Sequence, residues 1–412
     1  MKKLLAVILL CAFLLNGCSL LYRVYDSSAN APIRQLTEAD SIVKLDIYPE
    51  NSGFDIPKPF DRPDFNLLTK TQQSIYIALD NAVYTMSTEY IPLGECSEED
   101  VDIAYMALRN DRPEYFWLPT TYYLRTTDTH QEVCFAKSES EWLYTKAQRS
   151  ETEHKLKTRI GEILSKAPDY SSQFELELYL HDSLVNTVTY DFNAAETPDK
   201  NHYAWNIDGA LLKGKAVCEG YAKAMQVLLI ATGFECGLVF GDSDGPHVWN
   251  SVKIDGHWYH LDPTHNDSGD LSSHFFFNVT TDYMRHSRTI YPTLLNATEA
   301  ETEDDSYNLF LPFCTYDIKN YHVVNDLYIS SKSQVESTVV SIVCDAVRNG
   351  RRSVEFAVSE DMGFVFGEAD ADKFFDIGRC ISAANAELTK KQQLRTYTYG
   401  GVEGALGFMI SW

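Results

Sequence analysis

Three residues between Gly214 and Asp267 could do chemistry together: Cys218, His247 and Asp262. Cys218 opens a run with helical spacing, Glu219 to Thr232, in which Ala222, Met225 and Leu229 form one stripe. Gly233 stands where a left-handed cap belongs. A cysteine in a first helical turn sits beside unpaired backbone N–H groups and the positive end of the macrodipole. Both favour the thiolate, the nucleophilic form. Gly214 and Ala216 ahead of the helix, and Gly220 within it, would let a substrate backbone come close. A lone cysteine in such a run is more often a small buried hydrophobe, so its context decides.

That context is a hairpin. His247 to Ile254 alternates as a strand, Asp255-Gly256 is a type I′ turn pair, and His257 to Asp262 returns. If Ile254 pairs with His257, Trp249 faces Asp262 and His247 faces Thr264. Directly opposed side chains share a face, so His247, Trp249 and Asp262 point the same way, and the β-carbons of His247 and Asp262 stand roughly 7 Å apart. From there a carboxylate can hold one imidazole nitrogen and fix the tautomer, leaving the other nitrogen for a thiol. A slip of one residue would separate them.

The segments G-K-A-V-C-E-G-Y-A, H-V-W-N and W-Y-H-L-D-P-T together resemble the transglutaminase-like superfamily, in its bacterial secreted branch. The resemblance covers about Leu176 to Asn278, where Tyr190-Asp191 and Gly209-Ala210-Leu211 also fit. It implies a papain-like α+β core, with a helix carrying Cys packed on an antiparallel sheet carrying His and Asp. By position it makes Cys218 the nucleophile, His247 the general base and acid, and Asp262 the orienting carboxylate. One departure is visible: the family often follows D-P-T with Trp, whereas His265 stands here. That residue, with Trp249 and Gly220, is a candidate for substrate contact.

The chain begins with a short basic stretch (Lys2, Lys3) and an apolar core, followed by Leu15-Asn16-Gly17-Cys18. Residues 1–17 read as a secretory signal, too short and wrongly flanked for a lasting membrane span. Leu-Asn-Gly-Cys resembles the lipobox of bacterial lipoproteins, which implies lipidation of Cys18. A two- or three-chain anchor would hold the protein on a bacterial membrane, facing the extracytoplasmic side.

At 412 residues, 44% hydrophobic and 13% aromatic, the chain can bury two or three cores. Its formal charge is −24, and −26 without residues 1–17, which argues against nucleic acid as a partner. Of nine cysteines, Cys96, Cys134, Cys236, Cys314, Cys344 and Cys380 are widely scattered and read as free thiols rather than a disulfide framework. His257 and His260 fall on opposite strand faces, so the cluster with His265 is not read as a metal site. No cofactor is expected.

Around the core, residues 18–66 read as a tether and extended arm, and 67–168 as an N-terminal helical α+β domain. Within the latter, Thr69 to Thr88 and the helix capped by Ser97 have helical spacing, Tyr122 to Arg125 and Glu132 to Ala136 form a hairpin, and Glu139 to Ala167 is a long charged helix. Arg112-Pro113-Glu114-Tyr115-Phe116-Trp117 reads as a packed aromatic corner. The catalytic domain is placed at 169–295, opening with a helix from Tyr170 to Val188, and an acidic linker at 296–308. Residues 309–412 read as a small α/β sandwich of order β-α-β-α-β-β: strands at Tyr321 to Ile329 and Ser353 to Val358, helices at Ser333 to Arg348 and Ala371 to Glu387, and two closing strands.

The reaction these residues suit is attack of a thiolate on a protein or peptide amide, giving a thioester that water or an amine resolves. The backbone N–H of Cys218 would be one oxyanion donor, with Tyr190 a candidate for the second. Hydrolysis and cross-linking use the same residues. A non-catalytic surface binding module on this fold is the alternative from another class. A Cys-His cell-wall peptidase is a third reading, but its usual Asp-Cys start is replaced here by Val217-Cys218.

Overall fold

The computed structural model describes residues 23–25, 47–49, 53, 61–197, 199, 201–267, 272–294, 307–363, 376–402 and 404–412. The signal-like segment, Cys18 and the acidic stretch 296–306 lie outside them. Among the described residues, no helix is long and apolar enough to cross a membrane. The fold mixes helices with mostly antiparallel sheets and divides into two compact units. One comprises 1–256 and 290–312, the other 257–289 and 313–412.

The first unit begins with paired helices, Lys70–Thr85 and Glu98–Asp111. Each is started by a reciprocal capping box, Thr69 with Gln72 and Ser97 with Asp100. The hairpin Tyr122–Thr126 with Gln131–Cys134 forms as the alternation predicts, joined by Ile91–Pro92 and, in parallel, by Arg23–Tyr25. The arm at 18–66 therefore contributes a strand, and its end starts the helix Pro63–Leu67, which buries Phe65. The aromatic corner is also an ionic one. Arg62 and Arg112 both reach Glu114, at 3.0 and 3.3 Å, and Arg112 also reaches Asp80 at 3.0 Å. Burial opposes the charge on Glu114, but Arg62 and Arg112 hold its carboxyl below the usual range. The long charged helix starts at Lys146, not Glu139, because Thr145 and Gln148 make a capping box there.

The same unit holds the helix Cys218–Ala231, against which Gln173–Val185 packs. The strands Cys236–Asp242 and Pro246–Ile254 pair antiparallel, with Gly241 opposite His247 and Val239 opposite Trp249. Asp255 (φ 49°) and Gly256 (φ 86°) both take the positive φ that a type I′ turn needs.

In the second unit, Phe277–Val279 pairs antiparallel with His257–Leu261. Its other sheet runs in the order Tyr328–Ile329, Ser353–Val358, Gly407–Ser411, Thr398–Gly401. The first pair is parallel and the others antiparallel. The helices Val335–Arg348 and Ile377–Glu387 pack together over a core that includes Val339, Val343, Phe356, Ile381, Phe408 and Ile410. The expected first strand, Tyr321 to Ile329, is instead a helical turn, Tyr321–Val324, followed by a two-residue strand. The Asn320 side chain accepts from the His322 and Val323 amides and starts the turn; Asp326, at φ 56°, ends it.

Candidate active site

Cys218 occupies the first position of its helix, with Val217 as N-cap, and is buried. Two short parallel strands, Thr189–Tyr190 and Lys215–Ala216, set what stands beside it. Tyr190 pairs with Ala216, and the Asp191 amide donates to the Ala216 carbonyl at 2.9 Å. Asp191 then turns the chain by accepting the Ala194 amide at 3.1 Å. The Tyr190 phenol thereby comes to stand near the backbone amide of Cys218, which acts to lower its pKa. Burial, and then the charge of Cys218, pushes the Tyr190 phenol up to about 12, so its proton stays in place at neutral pH. Beside the amide read as one oxyanion donor there is thus a hydroxyl that retains a proton to donate.

Glu219 follows the cysteine directly, and a lone carboxylate there would disfavour a thiolate. It is paired twice, with Lys223 at 2.7 Å and Arg109 at 3.3 Å. The Glu219–Lys223 spacing was legible as a helical i,i+4 pair; Arg109, far earlier in the chain, carried no such signal.

The strand bearing His247 is docked on this helix. Val248 packs in one cluster with Cys218, Ala222 and Leu238, and the Asn250 amide donates to the Ala222 carbonyl at 2.9 Å. His247 is therefore one residue along the chain from a side chain packed against the cysteine. Its ring lies over Trp249, centroids 5.7 Å apart and planes 25° off parallel.

Asp262 belongs to the second unit and is fully buried. Its backbone amide donates to Phe276 at 2.9 Å. One carboxylate oxygen accepts the His265 amide at 3.2 Å; the other accepts Nη2 of Arg288 at 3.0 Å and lies 2.9 Å from Nδ1 of His265. Arg288 is a residue that sequence reasoning missed. Among the described residues, neither unit by itself brings three metal-ligating side chains together.

Residues 161–263 match the profile of the transglutaminase-like superfamily, a span that contains Cys218, His247 and Asp262. The chain carries a transglutaminase-like domain. Two solved structures are similar to it. One is a TGase, 17% identical over 37% of this chain and 46% of its own, with a TM-score of 0.27. The other is a candidate cysteine protease from Cytophaga hutchinsonii, 14% identical over 39% and 55%, with a TM-score of 0.23. The match spans about half the length of each solved chain. No protein of curated function matches the chain in sequence.

Two residues expected to contact substrate, Trp249 and Gly220, are buried against the chain itself. Trp249 is 0% exposed and forms a wall behind His247 rather than a surface. Gly220 faces the chain itself: a β-carbon there would stand 2.3 Å from the Ala204 carbonyl oxygen and 2.9 Å from the Ala216 β-carbon. Gly209 is tight in the same way, its β-carbon 2.5 Å from the Tyr203 carbonyl oxygen. These two glycines seat the 203–204 segment against the cysteine helix. His265 keeps a 32% exposed side chain, and Phe192, whose ring lies 4.9 Å from that of Tyr190, is 73% exposed.

Gly220→Ala sets helix propensity, which favours Ala by about 1 kcal/mol, against a backbone clash that costs about 1–3 kcal/mol. The contact is with backbone and cannot swing away, so the clash should win and lower Tm in a thermal melt. An unchanged or higher Tm would mean that the helix is not seated on Ala204.

Proposed function

We propose that this protein is a cysteine acyl-transfer enzyme acting on protein or peptide amides. The observation that carries the reading is Cys218 in the first turn of a buried helix, with the Tyr190 phenol beside it, in a domain with the Cys, His and Asp motifs in order. The Cys218 thiolate attacks the amide carbon, and the carbonyl oxygen becomes an oxyanion that accepts a hydrogen bond from the Tyr190 hydroxyl. His247 gives its proton to the departing nitrogen, and the C–N bond breaks to leave a thioester. Water or an amine then attacks, His247 takes the proton, and the thiolate departs. Asp262 holds the imidazole in the right tautomer and balances its charge.

Turnover on glutamine-containing peptides, followed as ammonia or new amine release, tests this, and the mass of the product with added methylamine, free acid or methylamide, separates hydrolysis from transfer. Cys218→Ala should abolish turnover. Asp262→Asn conserves shape but permits the wrong tautomer; a serine triad loses about 10⁴ in this way, and the readier thiol should lose on the order of 10²-fold. Tyr190→Phe removes one oxyanion donor and should cost on the order of 10-fold or more. Peptide binding without turnover, or full activity in Asp262→Asn, would favour a binding module or a different centre.

The proposed location is the outer face of a bacterial membrane, supported by the Leu15-Asn16-Gly17-Cys18 sequence. Cys18→Ser should release the protein from membranes or block its processing; unchanged membrane retention at the mature size would refute the anchor.

A further inference from the structure

We infer that Arg288 is a positioning residue for this reaction, holding the buried Asp262 carboxylate ionised and aimed so that it can serve His247. The inference rests on the proposed role of Asp262 and adds a residue that none of the sequence motifs contains.

Asp262 is 0% exposed, and a buried carboxyl with no charged partner takes up a proton instead of ionising. A protonated Asp262 could not balance an imidazolium. Arg288 supplies a charge that cannot be lost, because guanidinium stays protonated throughout the working range. Its side chain is 1% exposed and held on three sides. Nη2 donates to Asp262 at 3.0 Å, Nη1 donates to the Ser287 hydroxyl at 2.8 Å, and the guanidinium lies 3.8 Å above the Phe276 ring. Phe276 also fixes the Asp262 backbone, accepting its amide, while the Phe276 amide donates to Asn266 at 3.0 Å. The arginine and the carboxylate are thus clamped by the same residue.

Within the second unit the Asp262 carboxylate accepts from Nη2 of Arg288 and from the His265 amide, and Nδ1 of His265 lies 2.9 Å away. The other titratable groups that feel Arg288 do not compete for Asp262. Burial, then Arg288 and Arg285, takes His260 down to about 3, so it stays neutral, and burial keeps the Tyr283 phenol protonated.

The test is the pH profile of Cys218 alkylation by iodoacetamide in the full chain, followed by mass on the Cys218 peptide between about pH 5 and 9. Thiolate formation at Cys218 draws on the imidazolium, which draws on ionised Asp262. Arg288→Met and Arg288→Gln should each move the rise in alkylation to higher pH by about one unit, roughly tenfold in rate at a fixed pH below the midpoint. Arg288→Lys keeps the charge and should stay close to the wild type. The double variant Asp262→Asn/Arg288→Met should match Asp262→Asn alone. If Arg288→Met fails to fold, the Gln and Lys variants decide. Coincident Gln and Lys profiles, shifted or not, would overturn the role of the charge. If Asp262→Asn shifts the profile and Arg288→Gln does not, this inference alone fails. If Asp262→Asn leaves the profile in place, the triad reading fails and takes this inference with it.

Discussion

All fourteen residues of the helix Cys218–Ala231 are buried, and the domain is organised around that constraint. A helix covered on every side is ordinarily apolar all round, yet this one carries Glu219, Lys223 and Gln226. Leaving one member of a buried charge pair unmatched costs about 3–5 kcal/mol, so each needs a definite partner. Glu219 has Lys223 and Arg109; Lys223 also donates to the side-chain Oδ1 of Asn206 at 3.3 Å; Gln226 donates to the Asn110 backbone carbonyl at 2.9 Å. A rotation of the helix by one residue would take Glu219 from Arg109, Lys223 from Asn206 and Gln226 from Asn110 at once, while the Glu219–Lys223 pair within the helix would turn with it. The position of Cys218 in the first turn is therefore fixed by polar side chains further along the helix, and two of the partners come from Glu98–Asp111. The N-terminal helices belong to the same folded unit as the cysteine for that reason.

What could be read in the chain was what local chemistry decides. The Cys218 helix, its glycine stop, the type I′ turn at Asp255-Gly256 and the strand at His247 all follow from residues within a few positions of each other. The order of elements in 309–412 was legible for the same reason, except where Asn320 out-competed an apolar, β-branched run that looked like a strand. Long-range partners were not legible. Nothing near Asp262 announces Arg288, and nothing near Cys218 announces Arg109. Gly220 shows a further limit: sequence can mark a close approach, but not whether a substrate or the protein's own Ala204 carbonyl makes it.

Tyr190 and Asp262 illustrate opposite uses of burial. Burial keeps the Tyr190 phenol protonated, which makes it a donor able to meet a developing oxyanion. The same desolvation would protonate Asp262, and there a buried guanidinium opposes it. His265 stands against the Asp262 carboxylate, with its side chain one-third exposed.

In the proposed reaction Cys218 carries the acyl group. Rapid-quench intact-mass spectrometry of the full chain with a glutamine-containing peptide measures this directly. The expected result is a transient species heavier than the free protein by the peptide mass less ammonia, mapping to Cys218, discharged by hydroxylamine and absent in Cys218→Ala. Turnover that proceeds with no such adduct, or an adduct that persists in Cys218→Ala, would contradict it.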